Sequence, residues 1–150
     1  MDAEVIAHKA EIASYGRYGI ITTQTIASSN SIYTEIMIDK GIKVNDLYDL
    51  DNGKIKILKS GTYQIIASLN FQGNANNIRG LRLTKNAATL NSFRMLALNS
   101  DLVSTTVPLV FIEDFNVNDL IGIQAFQDSG ITLNVNANDS VTFVLIKKIG

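Results

Sequence analysis

Amide and carboxylate side chains are concentrated in the segments that we predict to be loops. Asparagine, aspartate and glutamine are the usual hydrogen-bonding partners of sugar hydroxyls, and the loops of a β-protein commonly form its binding surface. We therefore predict a ligand-binding set in these loops, with ordinary turn formation as the alternative explanation of the same residues. The set comprises Asn74, Asn76, Asn77, Asn86, Gln127 and Asp128.

Basic side chains lie close to these loops in the sequence. Arg79, Arg82, Lys85 and Arg94 form the densest positive group of the chain. Guanidinium groups bind phosphate and carboxylate oxygens, so these residues could contact an anionic wall polymer such as a teichoic acid. We include Arg79 in the predicted ligand-binding set. The alternative is a solvated strand face, with Arg79 and Arg82 on opposite sides of a regular strand.

Side chains suited to catalysis or metal binding are scarce. The chain has no cysteine and a single histidine, His8, which excludes a thiolate site and a polyhistidine zinc site within one chain. Asp46, Asp49 and Asp51 form an oxygen-rich stretch that could suit calcium, but it lacks the closing glutamate of an EF-hand loop, and turn formation explains these residues as well. We predict a non-enzymatic protein with no catalytic residue, cofactor or metal.

Length and charge narrow the class of protein further. A chain of 150 residues is long enough for one domain with a sizeable core. Its net charge of −1 argues against nucleic-acid binding, which usually requires a basic excess. No apolar run approaches the ~20 residues of a membrane-spanning helix. We expect a single domain that neither binds nucleic acid nor inserts into a membrane.

The residue mix favours an all-β fold. Isoleucine occurs 20 times and asparagine 15 times. β-Branched residues pack well on a pleated sheet, and asparagine favours tight turns. From Gly19 onward, short β-branched runs alternate with Asn, Asp and Gly clusters, which predicts eight to ten strands in an antiparallel sandwich or barrel. Pro108, inside one long predicted strand, indicates an edge strand or a bulge.

The first residues do not follow the β pattern. Residues 2–15 are rich in Ala, Glu and Lys, and Val5, His8, Ile12 and Tyr15 have the spacing of heptad a and d positions. We predict a short helix, the end of a trimeric stalk in which Val5 and Ile12 pack at the interface. The alternative is one amphipathic helix packed on its own domain. At the stalk axis three copies of His8 could hold an ion, although an exposed helix position explains His8 as well.

Three strands are apolar on both faces, which predicts a subunit interface on the outside of one sheet. They are the last strand, the segment Leu120–Phe126 and the segment Thr62–Gln72. In the last strand Val144 and Ile146 share one face, which we assign to the interface together with Ile66. The predicted core consists of Tyr63, Phe71, Phe111 and Phe143.

Three segments resemble C1q/TNF-like jelly rolls. Residues 55–71 contain Gly61 and Tyr63 in the arrangement of that family's Gly-x-Tyr strand, and residues 140–146 resemble its C-terminal strand. Residues 115–123 are similar to its Leu-x-x-Gly-Asp-x-Val segment, with Asn118 in place of the glycine. The resemblance covers about residues 20–150. It implies an antiparallel jelly-roll β-sandwich that assembles as a homotrimer.

Residues 2–6 and 14–18 are similar to a linker in tail-fibre and baseplate proteins of phages that infect Gram-positive bacteria. This resemblance implies a stalk over residues 1–18, which contacts other tail or baseplate proteins, and a head over residues 19–150. The head would belong to a virion and attach it to a cell-surface glycan or wall polymer. A trimeric head on a bacterial or spore surface is the alternative, because such proteins have the same head shape.

Overall fold

Two antiparallel β-sheets pack face to face in the computed structural model, which describes residues 15–150. β-Branched and aromatic residues dominate the strands, and Gly, Asn and Asp dominate the connections between them, as the sequence predicts. The strands are β1 (Tyr15–Gly19), β2 (Gln24–Ile26), β3 (Thr34–Ile36), β4 (Lys40–Lys43), β5 (Tyr48–Asp51), β6 (Lys54–Ile57), β7 (Gly61–Phe71), β8 (Ile78–Lys85), β9 (Ala88–Leu96), β10 (Thr105–Phe115), β11 (Leu120–Gln127), β12 (Leu133–Val135) and β13 (Phe143–Lys148).

The seven-stranded sheet is built around β7. On one side β7 pairs along its whole length with β10, and on the other it pairs with β13, which is followed by β1 and β4. At the far end of β7, β12 pairs with it and β2 pairs with β12. The six-stranded sheet runs β5, β6, β11, β8 and β9, with β3 also paired to β11. The predicted antiparallel jelly-roll sandwich is confirmed, while the predicted N-terminal helix over residues 2–14 lies outside the described residues.

The core lies between the sheets and follows the alternation of each strand. Tyr63 and Phe71 on β7 have no exposed surface, which confirms their predicted place in the core. Phe111 is half-buried against the core. Phe143 points to the other side of its sheet, so its predicted place in the core is wrong. Its neighbour Val144 fills the core instead.

Several boundaries differ from the sequence prediction. Residues 15–18, assigned to the stalk, form most of β1, because they pair with β13 from Tyr15↔Lys147 to Tyr18↔Val144. The ambiguous region 88–102 contains β9, whose hairpin with β8 the irregular apolar spacing did not reveal. Pro108 lies on β10, which pairs only with β7 among the described strands, so the predicted edge position is confirmed.

Left-handed residues close the tight hairpins. Asn52 and Gly53 have φ of 48° and 79° between the paired residues Asp51 and Lys54, as a two-residue type I′ turn requires. Asn86 and Ala87 close the β8–β9 hairpin in the same way, with φ of 51° and 69°. Asn118, which stands where the resembling family has glycine, has φ of 73°. Asparagine is the non-glycine residue best suited to that region.

Candidate functional site

The outer face of the seven-stranded sheet carries a row of side chains across four strands. Arg17 pairs with Leu145, Leu145 with Ile66, and Ile66 with Val110. Directly opposed residues share a face of the sheet, so these side chains lie side by side. Ile66 and Leu145 are half-buried, and Val110 is 55% exposed. Leu145, Ile66 and Val110 therefore form an uncharged strip across the middle of this face, with Arg17 at its β1 end.

Neighbouring rows widen the strip. Phe143 pairs with Ser68, which pairs with Pro108, and the guanidinium carbon of Arg17 lies 4.4 Å from the centre of the Phe143 ring. On the other side Ile112 is 54% exposed. We call this surface the assembly face. It comprises Ile66, Pro108, Val110, Ile112, Phe143 and Leu145.

The predicted interface residues of the last strand do not lie on this face. Val144 and Ile146 are 1% and 0% exposed and belong to the core. Ile146 pairs with Ile65, which is also buried, so pairing with β7 turns both side chains inward. Assigning them to the outer face was wrong, and Leu145 takes that position. Ile66 does lie on the outer face, while Val5 and Ile12 lie outside the described residues.

A second apolar surface lines the open edge of the sandwich, where β9 and β10 end the two sheets. Leu96 is 73% exposed and Leu102 95% exposed, values that are unusual for leucine on a solvent-facing edge. We call this the β9–β10 edge. It comprises Phe93, Leu96, Leu98, Leu102 and Val103. Phe93 and Leu96 lie on β9, and the other three residues lie in the segment that joins β9 to β10. Exposed apolar side chains grouped in this way are typical of a surface that is covered by another chain.

The predicted ligand-binding residues fall at two ends of the molecule. We call the end formed by Phe71 and the 73–77 loop the tip, and the end formed by Gly61 and Phe115 the base. Residues 74, 76, 77, 79, 127 and 128 come together at the tip. Asn86 lies at the base, where its side-chain N–H donates to the Asp119 carboxylate at 2.8 Å and its side-chain oxygen Oδ1 accepts the N–H of Leu120. The structure thus brings six of the seven residues together.

Arg79 is buried and binds backbone rather than solvent. It has no exposed surface, and its guanidinium donates to the carbonyl oxygens of Asn74, Asn76 and Ile78 at 2.8–3.0 Å. Burial lowers the pKa of Arg79, and the charge of Asp128 opposes that change. Arg79 is therefore a support for the tip loop and offers no donor at the surface.

The other tip residues are largely occupied by similar contacts. The buried Gln127 donates to the carbonyl oxygens of Ile26 and Ile131. The Asp128 carboxylate accepts the N–H of Ile78 at 2.7 Å, and the amide of Asn77 donates to the Asp128 carbonyl. Asn76 alone of the set is exposed with an amide that has no hydrogen-bond partner within residues 15–150. The predicted role of the set in ligand binding stays a prediction, which the structure narrows to Asn76.

The candidate metal ligands do not converge. Asp49 accepts the N–H of Leu50, and Asp51 lies 3.5 Å from Lys56, so their carboxylates face different partners. Among the described residues no three His, Cys, Asp or Glu side chains come close enough to hold a metal ion. The same residues contain no helix that is long and apolar enough to cross a lipid bilayer.

Two arginines that the sequence grouped with Arg79 lie elsewhere. Arg82 and Arg94 project from the outer face of the six-stranded sheet, around the ring of Tyr33. The sequence showed the positive charge but not Tyr33, which is far from both arginines along the chain. Leu145, Val110 and Ile112 on the assembly face were also missed, because a strand that is apolar on both sides does not reveal which side faces the core.

Comparison with known proteins shows the fold. No protein-family model and no curated protein sequence matches this chain. Eiger TNF from S. frugiperda superimposes with a TM-score of 0.71 and 8% identity, over 91% of this chain and 92% of that chain. Murine APRIL at pH 5.0 superimposes with a TM-score of 0.69 and 12% identity, over 91% of this chain and 98% of that chain. The structure of murine APRIL at pH 8.0 superimposes with a TM-score of 0.66 and 12% identity, over 90% of this chain and 99% of that chain. The chain therefore folds as a TNF-like jelly roll.

Proposed function

We propose that the chain is a non-enzymatic binding head that assembles as a homotrimer and attaches a phage tail fibre or baseplate to the surface of its host. The observation that carries the trimer is the assembly face, which no other part of the described chain covers. Contiguous exposed apolar patches larger than a few hundred Å² are rare on monomers, so we expect this face to be covered. The TNF-like fold supports the proposal, since the resemblance in sequence implies the same assembly.

The two apolar surfaces also favour a ring over a twofold dimer. A cyclic trimer requires a heterologous contact, in which one patch of each subunit meets a different patch of the next. The assembly face and the β9–β10 edge supply two such patches on adjoining sides of the sandwich.

The attachment role rests on the linker resemblance of residues 2–6 and 14–18, and the virion location rests on it too. Three identical heads on one stalk would bind a repetitive surface with an avidity well above the affinity of one site. The exposed Asn76 at the tip is the position in the predicted set that is free to contact a glycan. Residues 1–14 would join the head to other tail or baseplate proteins.

The oligomeric state is tested by light scattering coupled to size-exclusion chromatography. We expect a mass near three chains for the natural protein and near one chain for Val110→Asp, because the variant buries a charge at the interface. Ile32→Asp is the matched control, since Ile32 is 68% exposed and lies in the segment just before β3 of the other sheet. A monomeric natural protein, or a Val110→Asp variant that remains trimeric, would contradict the proposed interface.

Attachment is tested separately with the purified head and intact Gram-positive cells. We expect the protein to sediment with cells of its host and Asn76→Ala to weaken that binding without changing the mass. A trimer that sediments with no cell type tested would leave the assembly intact and overturn the attachment role.

A further inference from the structure

Two arginines share one aromatic platform on the outer face of the six-stranded sheet. The guanidinium carbon of Arg82 lies 3.6 Å from the centre of the Tyr33 ring, and that of Arg94 lies 5.3 Å from the same centre. Arg94 also lies 4.0 Å from the centre of the Phe126 ring, and its Nε donates to the Tyr33 hydroxyl at 2.9 Å. We call this cluster the double-arginine site; it comprises Tyr33, Gly80, Arg82, Arg94 and Phe126.

Gly80 makes this arrangement possible. It pairs with Arg94 on one side and with Phe126 on the other, so Arg94 reaches Phe126 across a position that has no side chain. A Cβ atom at Gly80 would lie 3.2 Å from both Arg94 Cγ and Phe126 Cβ, and 3.5 Å from the Tyr33 hydroxyl. Any larger residue would therefore disturb the contact between Arg94 and the two rings.

Neither arginine is neutralised within the described chain. The four salt bridges between described residues all use lysine. Glu35, the carboxylate in the same cross-strand row as Arg82, is bonded to Lys54 at 3.0 Å. Arg82 makes no hydrogen bond to any described residue, and its Nε is buried without a partner. Arg82 and Arg94 thus lie beside the ring of Tyr33, and their terminal N–H groups make no hydrogen bond to any described residue.

Such a pair is poised for an oxyanion. Contact with aromatic rings removes water from one side of each guanidinium, and the mutual repulsion of the two charges is relieved when an anion lies between them. Guanidinium groups bind phosphate in a bidentate manner, which fixes both position and orientation. The rings already hold Arg82 and Arg94 in place, so little side-chain entropy is lost on binding.

We propose that the double-arginine site binds a phosphate group of an anionic cell-surface polymer. The proposal deepens, and rests on, the attachment role proposed above, because it names the chemistry that the head recognises. The net charge of −1 disfavours nucleic acid as the source of the phosphate. The site lies on the six-stranded sheet, whereas the assembly face lies on the seven-stranded sheet, so contact at the assembly face leaves the site open.

The direct test follows the arginine Nε–Hε signals of the ¹⁵N-labelled full chain by NMR while sodium phosphate replaces sodium chloride at constant ionic strength. We expect saturable shifts at Arg82 and Arg94 and none at Arg17 or the buried Arg79. Arg82→Gln and Arg94→Gln should each weaken binding about tenfold or more, in proportion to the loss of one charged contact. Lys59→Gln, which removes one exposed charge from the β6–β7 turn, should leave it unchanged.

The source of the phosphate is tested with immobilised poly(glycerol phosphate), with uncharged dextran as the control. Retention on the phosphate polymer alone, lost in Arg82→Gln, is the expected result. Binding of free phosphate without retention on the polymer would overturn the polymer as ligand, and the absence of saturable shifts would overturn the site itself.

If Arg94→Gln lowers the melting temperature, Tyr33→Phe is used in its place, because that variant loses only the hydroxyl that accepts the Arg94 hydrogen bond. The mass of each variant is measured in parallel, so that failure of assembly is distinguished from failure of the site.

Discussion

The ring of Tyr18 meets the ring of Tyr48 edge to face in the core, with centroids 6.3 Å apart and planes at 84°. Tyr48 meets Tyr63 in the same manner at 5.8 Å, and Tyr63 meets Phe115 at 6.0 Å. Edge-to-face pairs of this kind add to the stability that burial alone supplies. The hydroxyl groups of Tyr63 and Tyr18 differ in their polar contacts. The Tyr63 hydroxyl donates to the carbonyl oxygen of Lys59, whereas the buried Tyr18 hydroxyl has no partner within residues 15–150.

Removing the Tyr18 hydroxyl should stabilise the protein. Tyr18→Phe keeps the ring contact with Tyr48 and eliminates a buried polar group without a partner, so we expect the free energy of unfolding to rise by about 1 kcal/mol. Tyr63→Phe is the matched control, since it loses a hydrogen bond and should lower that free energy by about 1 kcal/mol. Urea denaturation of both variants measures the difference. Loss of stability in Tyr18→Phe would show that the hydroxyl is satisfied.

Alkaline pH should unfold the protein through the same cluster. Burial raises the pKa of Tyr18 to about 12, with a contribution from Asp49, and burial also raises the pKa values of Tyr48 and Tyr63. An unfolded tyrosine ionises near pH ~10. Above that pH the unfolded state releases protons that the folded state retains, so stability is full below pH ~10 and falls as pH rises toward 12.

Denaturation midpoints measured between neutral and strongly alkaline pH test this expectation. Tyr18→Phe removes one of the three tyrosines whose pKa is raised. The free energy of unfolding of this variant should therefore fall less steeply with rising pH than that of the natural protein. Equal slopes for the two proteins would mean that Tyr18 ionises in the folded state as it does in the unfolded one.

Loss of the Arg79 side chain should destabilise the tip. In Arg79→Met the carbonyl oxygens of Asn74, Asn76 and Ile78 lose the donor that holds the loop, and we expect the free energy of unfolding to fall by about 3 kcal/mol. Asn76→Ala changes an exposed amide in the same loop and should alter stability by less than about 0.5 kcal/mol. Thermal unfolding of the two variants makes the comparison, and equal melting temperatures would refute the supporting role.

The substitution Ala87→Gly should stabilise the β8–β9 hairpin. Ala87 has φ of 69°, a region that costs a residue with a Cβ about 1–2 kcal/mol. After the larger unfolded-state entropy of glycine is included, Ala87→Gly should still gain about 0.5–1 kcal/mol. Ala88→Gly, one residue later in β9, has no such strain to relieve and should lose a similar amount. A destabilised Ala87→Gly variant would contradict the relief of strain.

Local chemistry made the turns predictable. Asp51-Asn52-Gly53 was recognisable as a turn because asparagine and glycine are the residues that best tolerate positive φ. Asn118, which stands where the resembling family has glycine, also has a positive φ. The inner face of β7 was also predictable, since Tyr63, Ile65 and Ala67 fall at alternate positions and the other face includes the polar Gln64 and Ser68. The sandwich architecture follows from these two signals, the tight turns and the alternation within each strand.

Pairing between distant strands was not predictable from local pattern. Val144 and Leu145 are both apolar, and only the register Leu145↔Ile66 decides which one faces out. The role of Arg79 was hidden for a related reason, because its partners are backbone carbonyls, which carry no mark in the sequence. The meeting of Tyr33 with Arg82 likewise depends on β3 and β8 both pairing with β11.

The length of β7 separates base from tip, and this has a practical consequence for immobilisation. Tyr15 pairs with Lys147, and Gly150 accepts the N–H of Thr62, so both lie at the base. The 73–77 loop lies at the opposite end, after Phe71. A biosensor tether joined beyond Gly150 would therefore hold the molecule upright, with Asn76 directed into the flowing sample and away from the chip.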